Sequence, residues 1–246
     1  MDAVLWETLG MCGRFVMARA DSDLVAAFGI EDVVGDELRP SWNVAPTQKV
    51  RIITGRGPDG TGPGSRLETA RWGLVPVWAK SRSVGSRAIN ARSETVLDKP
   101  TFRSAAVKRR ALVPAEGYYE WQVVDKEKIP TYLQPQDKEI VAFAGLYEFW
   151  RDPEVPDGEE GEWLMSTTIL TRPAADALGH IHDRTPVIVP ADLQADWLDP
   201  GLIDKAEIRS LLDAIPDPEL VPREVGKAVG NVRNNGPELV EPISDN

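Results

Sequence analysis

"RALVPAEGYYEWQVV", residues 110 to 124, crowds β-branched and aromatic side chains together and shows no apolar stripe at helical spacing. Read as strand, it sets Glu120 between Tyr119 and Trp121 on an alternating ribbon, so Glu120 faces either solvent or a pocket. Glu116, four residues earlier, then points to the same side. In a pocket, the Glu120 carboxyl would be pushed up, as a proton-transfer role requires. The same texture recurs in "KVRIIT" (49–54), "LETARWGLV" (67–75), "EIVAFAGLYEFW" (139–150) and "WLMSTTILT" (163–171), so the middle of the chain is mostly β. "DSDLVAAFGI" (21–30) reads as a short helix capped by Asp21 or Ser22 and ended by Gly29. "RPAADALGHIH" (172–182), with Pro173 at the first helical position, "ADLQADWL" (191–198) and "KAEIRSLLDAI" (205–215) read as further helices. The Gly/Pro run "GRGPDGTGPG" (55–64) and the acidic run "RDPEVPDGEEGE" (151–162) read as loops; no Gly-Lys-Ser/Thr follows the first, so it is no phosphate loop. Helices flank strands without βαβ alternation, which makes the class α+β in a single domain.

The chain has 246 residues, and its 42% hydrophobic content is enough to fill one sizeable core. No stretch approaches the eighteen or so apolar residues that span a bilayer, and the opening "MDAVLWETLG" carries Asp2 and Glu7 where a secretory signal would carry Lys or Arg. The compartment read from this is the cytoplasm, with no membrane partner. One Cys and two His exclude an internal disulfide and a structural zinc site of the usual Cys/His kind. A net charge of −11 argues against nucleic acid, yet Arg71 to Arg110 holds ten basic residues against Glu94 and Asp98. That local +8 leaves −19 for the rest, a basic working face on an acidic body. Arg109 and Arg110 read as solvated surface.

Cys12 lies directly after Met11 in "LGMCGRFVMA" (9–18). As an internal residue it is a lone thiol, a type more often buried than reactive. As a first residue it would offer an α-amine of pKa about 7.7–8.0 beside a thiol near about 8.5, and roughly a tenth of the amine is neutral at pH 7. A terminal 1,2-aminothiol attacks an aldehyde through nitrogen and closes through sulfur into a thiazolidine, with no metal or cofactor. Cys12, Asn90 and His182 also supply the residue types of a thiol peptidase, without a local signature for one.

"MCGRF", "WNVAPTQ", "ARWGLVPVWAK", "INARSET", "PAEGYYEWQ", "HDRTPVI" and "VGNVRNNGPELVEPI" together resemble the SRAP proteins, named for the SOS response-associated peptidase domain and known as abasic site processing proteins. The resemblance runs from Met11 to about Ile243 in the family's order. It implies a mostly antiparallel, barrel-like β-sheet core flanked by short helices. It also implies covalent capture of abasic sites in single-stranded DNA, with Cys12 condensing onto the ring-opened aldehyde. On the matching positions, Asn90 would bond the sugar or the Cys12 backbone, Glu120 would position the α-amine and move its proton, and His182 would act as acid and base on the sugar hydroxyl. Glu116 stands where the family often has Asp, and no catalytic role is carried over to it. Arg14, Arg87, Arg92 and Arg184 would meet phosphates, and Trp72 and Trp78 would stack on or wedge between bases, with core packing as the competing reading for both Trp residues. The partner is thus single-stranded DNA containing abasic sites, and the protein is expected to act as a monomer.

One departure concerns residues 1–10. The family pattern starts at the position of Met11, and ordinary removal of an initiator methionine cannot expose Cys12 from position 12. Residues 1–10 therefore read as a leader absent from the working protein, 11–243 as the domain and 244–246 as a tail. Either Met11 is the true start, the preferred reading, or self-processing by peptidase activity removes the leader. The competing functions are a thiol peptidase using Cys12 and His182 on protein substrates, and a DNA-binding module without chemistry.

Overall fold

A computed structural model describes residues 12–55, 64–174 and 181–243. One sheet is antiparallel throughout and joins β1 (Arg14–Met17) to β3 (Ser41–Val44) on one side and to β8 (Gly117–Val124) on the other; β9 (Glu127–Pro135) and β13 (Leu220–Glu224) continue it beyond β8. The second contains β4 (Lys49–Gly55), β5 (Ser65–Trp72), β7 (Arg110–Ala115), β10 (Val141–Arg151) and β11 (Trp163–Pro173). These five strands close on themselves. β11 pairs with β10, β10 with β7, β7 with β4 and β4 with β5, all antiparallel, and β5 returns to β11 in parallel through Ser166 opposite Arg71 and Thr167 opposite Trp72. The result is a five-stranded mixed barrel beside an antiparallel sheet, within the expected α+β class. Short strands β2 (Asp32–Val33), β6 (Asn90–Arg92) and β12 (Arg184–Pro186) edge the barrel, β2 on β5 and the other two on β11.

Residues 110 to 124 are not one strand. Arg110–Ala115 belongs to the barrel and Gly117–Val124 to the other sheet, so the chain changes sheets at Glu116. Gly117 permits the crossing: with φ 157°, a Cβ there would lie 2.5 Å from Leu133 O and 2.6 Å from Tyr132 Oη. Glu116 therefore does not share a strand face with Glu120. Its backbone N–H donates to Val16 O at 3.0 Å, and its carboxylate accepts the Ala18 N–H at 3.0 Å, stitching the corner to β1.

The two sides of the barrel wall bury different sets of residues. Val50, Ile52, Trp72, Val113, Phe143 and Ile169 pack with Phe15 and Tyr118 of the antiparallel sheet and with Cys12, which precedes β1. Phe15 meets the Trp72 and Phe143 rings edge-on at 5.0 and 6.0 Å, and Tyr118 meets Phe143 at 6.1 Å, contacts worth about 0.5–1.5 kcal/mol each beyond burial. The other side, with Ile53, Leu67, Leu112 and Leu170, is covered by helices α1 (Asp21–Phe28), α2 (Arg103–Lys108), α3 (Ala191–Leu198) and α4 (Lys205–Ala214) through Leu24, Ala105, Trp197 and Ile208.

Three sequence expectations change here. The N-cap of α1 is Ala20, because the Asp21 carboxylate is taken by buried Arg51, whose Nε donates to Asp21 Oδ1 at 3.0 Å. Pro173 ends β11 instead of opening a helix; residues 175–180 of that expected helix, like most of the Gly/Pro loop, lie outside the described residues. Arg110 is buried, its Nε donating to Trp197 O at 2.7 Å, and Arg109 pairs with Glu148 at 2.6 Å, so neither is a solvated surface charge.

Candidate functional site

Cys12 precedes β1 at the seam between barrel and sheet and is fully buried. Asn90 reaches it from the barrel side. β6 is registered on β11, Asn90 opposite Ile169, and the Asn90 Nδ2 donates to Cys12 O at 2.7 Å. Glu120 comes from the opposite side, on β8, across from Thr131 of β9, and is 4% exposed. Asn90 Oδ1, Glu120 Oε1 and Thr131 Oγ1 are buried without a hydrogen-bond partner among the described residues, the first two on side chains that act on Cys12.

Burial pushes the Glu120 carboxyl well above the usual carboxylate range, and the negative charge of Asp183 adds to the effect. The pocketed alternative for Glu120 is therefore the observed one. Burial also raises the Cys12 thiol, the Glu120 charge raises it further, and the Arg14 backbone N–H opposes both. Burial therefore favours the protonated thiol over the thiolate at Cys12.

His182 lies on the segment whose Asp183 charge acts on Glu120. Its Nδ1 accepts the Arg184 N–H at 3.0 Å and lies 3.3 Å from Arg184 O and 3.2 Å from Asp183 Oδ1. This segment is tied to β8 through Tyr118 Oη and Thr185 Oγ1, 3.0 Å apart. Arg184 anchors it to the barrel: Nη2 donates to Glu94 Oε2 at 2.9 Å and to Thr171 O at 2.7 Å. The ion pair holds the Glu94 carboxyl down at about 2.

The six residues expected to meet DNA differ in their exposure. Trp78 is 58% exposed, and Arg87 and Arg92 are exposed. Trp72 is corrected to a core residue: it is fully buried and its Nε1 donates to Ile89 O at 2.9 Å, so it braces Asn90 from below and cannot reach a base. Arg184 is corrected to the anchor just described. Arg14 is half-buried and forms a clasp: its Nη1 donates to Asn43 Oδ1 and Val229 O, both at 2.9 Å, and its guanidinium lies 5.7 Å from the Trp121 ring centroid. Asn43 in turn donates to Val229 O, Asn231 O and Asn234 O, fastening the C-terminal segment onto β3. Sequence reasoning missed the parts played by Asn43, Glu94, Tyr118 and Thr185. All four stand inside quoted motifs, and no local pattern tells a motif residue that braces from one that reacts. Among the described residues no three or more His, Cys, Asp or Glu gather as metal ligands, and no helix is long and apolar enough to cross a membrane.

The sequence profile of the SOS response-associated peptidase family matches residues 11–232. Abasic site processing protein YoqW of Bacillus subtilis is 38% identical over 94% of this chain and 99% of its own. Abasic site processing protein YedK of Escherichia coli is 29% identical over 95% of this chain and all of its own. A crystal structure of a protein from Bacteroides thetaiotaomicron superposes with a TM-score of 0.76 at 26% identity, covering 94% of this chain and 99% of that one.

Proposed function

The chain belongs to the SOS response-associated peptidase family, and from that premise we propose that it processes abasic sites by capturing them covalently in single-stranded DNA. The working form begins at Cys12. Its α-amine adds to the aldehyde of the ring-opened deoxyribose and water leaves, giving a Schiff base; the Cys12 sulfur then adds to the same carbon, its proton passing to the nitrogen, and the thiazolidine closes. One aldehyde and one aminothiol give one ring and one water, with no oxidant or cofactor.

Each neighbouring group has a task in that sequence. Asn90 holds the Cys12 carbonyl and so fixes the α-carbon. Glu120, whose carboxylate burial makes more basic, takes a proton from the ammonium and then, as the acid, returns one to the departing water. His182 serves the sugar hydroxyl as the ring opens. Trp78 stacks on a base, and Arg87 and Arg92 meet phosphates. The observation that carries the reading is the pair of acceptors, Asn90 Oδ1 and Glu120 Oε1, that lack a partner among the described residues beside Cys12. A peptide nitrogen offers at most one N–H, whereas a terminal ammonium offers three donors and matches the open positions. A peptidase acting on other proteins would need a Cys12 thiolate, and burial with the Glu120 charge works against one.

The test uses two chains, starting at Met1 and at Met11, with their N-termini read by mass spectrometry. Each is mixed with an oligonucleotide carrying one abasic site and denatured. The chain with Cys12 first should form an adduct of mass protein plus DNA minus one water, absent in Cys12→Ala. An adduct from intact Met1 chain, or none from the Cys12-first form, would overturn the α-amine mechanism. Peptide cleavage without adduct would favour the peptidase, and salt-sensitive binding alone the passive module.

A further inference from the structure

Outside the Cys12 site, three cations gather without an ion pair among the described residues. Arg71 and Lys49 are directly opposed in the β4–β5 ladder and so project from one face. Arg82 opens the short 3-10 turn Arg82–Arg87 that packs against the end of β5. The packing is close: a Cβ on Gly73 would lie 2.5 Å from Gly85 O and 3.6 Å from Arg71 Nη1, which sets the Arg71 guanidinium against that turn. Arg71 Nη1 is buried with no hydrogen-bond partner, and none of Lys49, Arg71 and Arg82 has an ion pair among the described residues. Burial and the like charge of Arg82 both work against the charged form of Arg71. No Asp or Glu occurs between Ala70 and Ser93.

A half-buried guanidinium facing another cation, with a free N–H and no counter-ion, is held at a cost that an anion would remove. We infer that Lys49, Arg71 and Arg82 form a phosphate subsite that takes a phosphodiester of the bound strand. Its position fits a strand path. The turn that begins at Arg82 carries exposed Arg87 and leads through Ala88 and Ile89 to Asn90 and exposed Arg92, and exposed Trp78 stands on the loop joining Arg71 to Arg82. An aromatic surface beside a row of cations is the usual means of holding single strands without reading sequence. The subsite rests on the proposed DNA function but not on its chemistry, since it lies away from Cys12 on the opposite side of the β5 strand.

The experiment measures binding of an undamaged single-stranded oligonucleotide by fluorescence anisotropy across a salt series, for wild type, Arg71→Gln, Arg82→Gln and Arg71→Lys. Each Gln variant should bind about tenfold more weakly at low salt, the size of one charge-assisted contact. The slope of log K against log salt should flatten by about 0.7, the value for one phosphate on a single strand. Arg71→Lys should restore much of the slope, and the melting temperature of Arg71→Gln should stay level or rise because an uncompensated charge has gone. A parallel titration with inorganic phosphate separates the sources. Loss of free phosphate binding in the variants with an unchanged DNA slope would overturn the strand subsite in favour of a small-anion site. Unchanged slopes in both Gln variants would also overturn it, even with crosslinking intact. Flattened slopes without any crosslink would keep the subsite and remove the capture chemistry.

Discussion

Glu120→Gln should slow capture and stabilise the fold at once. The change keeps the shape of a 4% exposed side chain whose Oε1 has no partner, and removes only its ability to carry a charge and a proton. A positioned acid or base contributes about 10²- to 10⁴-fold, so single-turnover crosslinking by the Cys12-first form should fall by that order, with little change in DNA affinity. Stability moves the other way. Because burial raises the folded carboxyl above its unfolded value, the unfolded chain ionises first as pH rises, and wild type loses stability from the ordinary carboxylate value of about 4.3 up to the folded one. The Gln variant has no such loss. The variant should therefore melt higher at pH 8, with the gap closing below about pH 4.3. The assay is calorimetry across pH beside gel-based adduct formation. A variant that crosslinks at the wild-type rate and melts lower at pH 8 would refute the assignment, because it would mean that the ionised carboxylate is stabilised by a partner and moves no proton.

The two tryptophans should part company. Trp78→Ala should weaken single-strand binding by about 1–3 kcal/mol with no change in melting, whereas Trp72→Ala should cost about 3–5 kcal/mol of stability; anisotropy and thermal unfolding of both decide, and the reverse pattern would place the wrong ring in the core. Glu94 should shape the acid limb of stability. Its folded pKa of about 2 lies below the ordinary carboxylate value, so its contribution is present above about pH 4.5 and lost as pH falls through about 2. Glu94→Gln should flatten the melting curve over that window, modestly because solvent screens a half-exposed pair, and an identical pH profile would detach Arg184 from its anchor.

What the sequence conveys about this fold is local, and what it conceals is how the strands close. The β texture of residues 49–54, 67–75, 139–150 and 163–171 is legible because alternation and branching act within one strand. The sheet change at Glu116 is not, because nothing in the side-chain pattern of residues 110 to 124 marks it; the demand for glycine at 117 arises from Leu133 and Tyr132, which approach only in the folded state. The parallel β5–β11 contact that closes the barrel joins residues about a hundred positions apart and leaves no periodic trace.

The same limit governs the site. Cys12, Asn90, Glu120 and His182 could be picked out because aminothiol chemistry and motif resemblance point to residue types, and types are written in the sequence. Whether an arginine reaches outward or inward is decided by its neighbours in space. Arg14, Arg92 and Arg184 sit in similar motif positions, yet Arg14 finds Asn43 and two C-terminal carbonyls, Arg184 finds Glu94 and Thr171, and Arg92 alone is left exposed. The inward arginines tie the C-terminal segment to β1 and the His182 segment to the barrel, while Cys12, Asn90 and Glu120, which arrive from both sheets, meet at one seam. Charge that braces the seam and charge that meets the strand are thus separate sets, and a substitution in the first should disturb capture through misplacement while leaving the salt dependence of DNA binding unchanged.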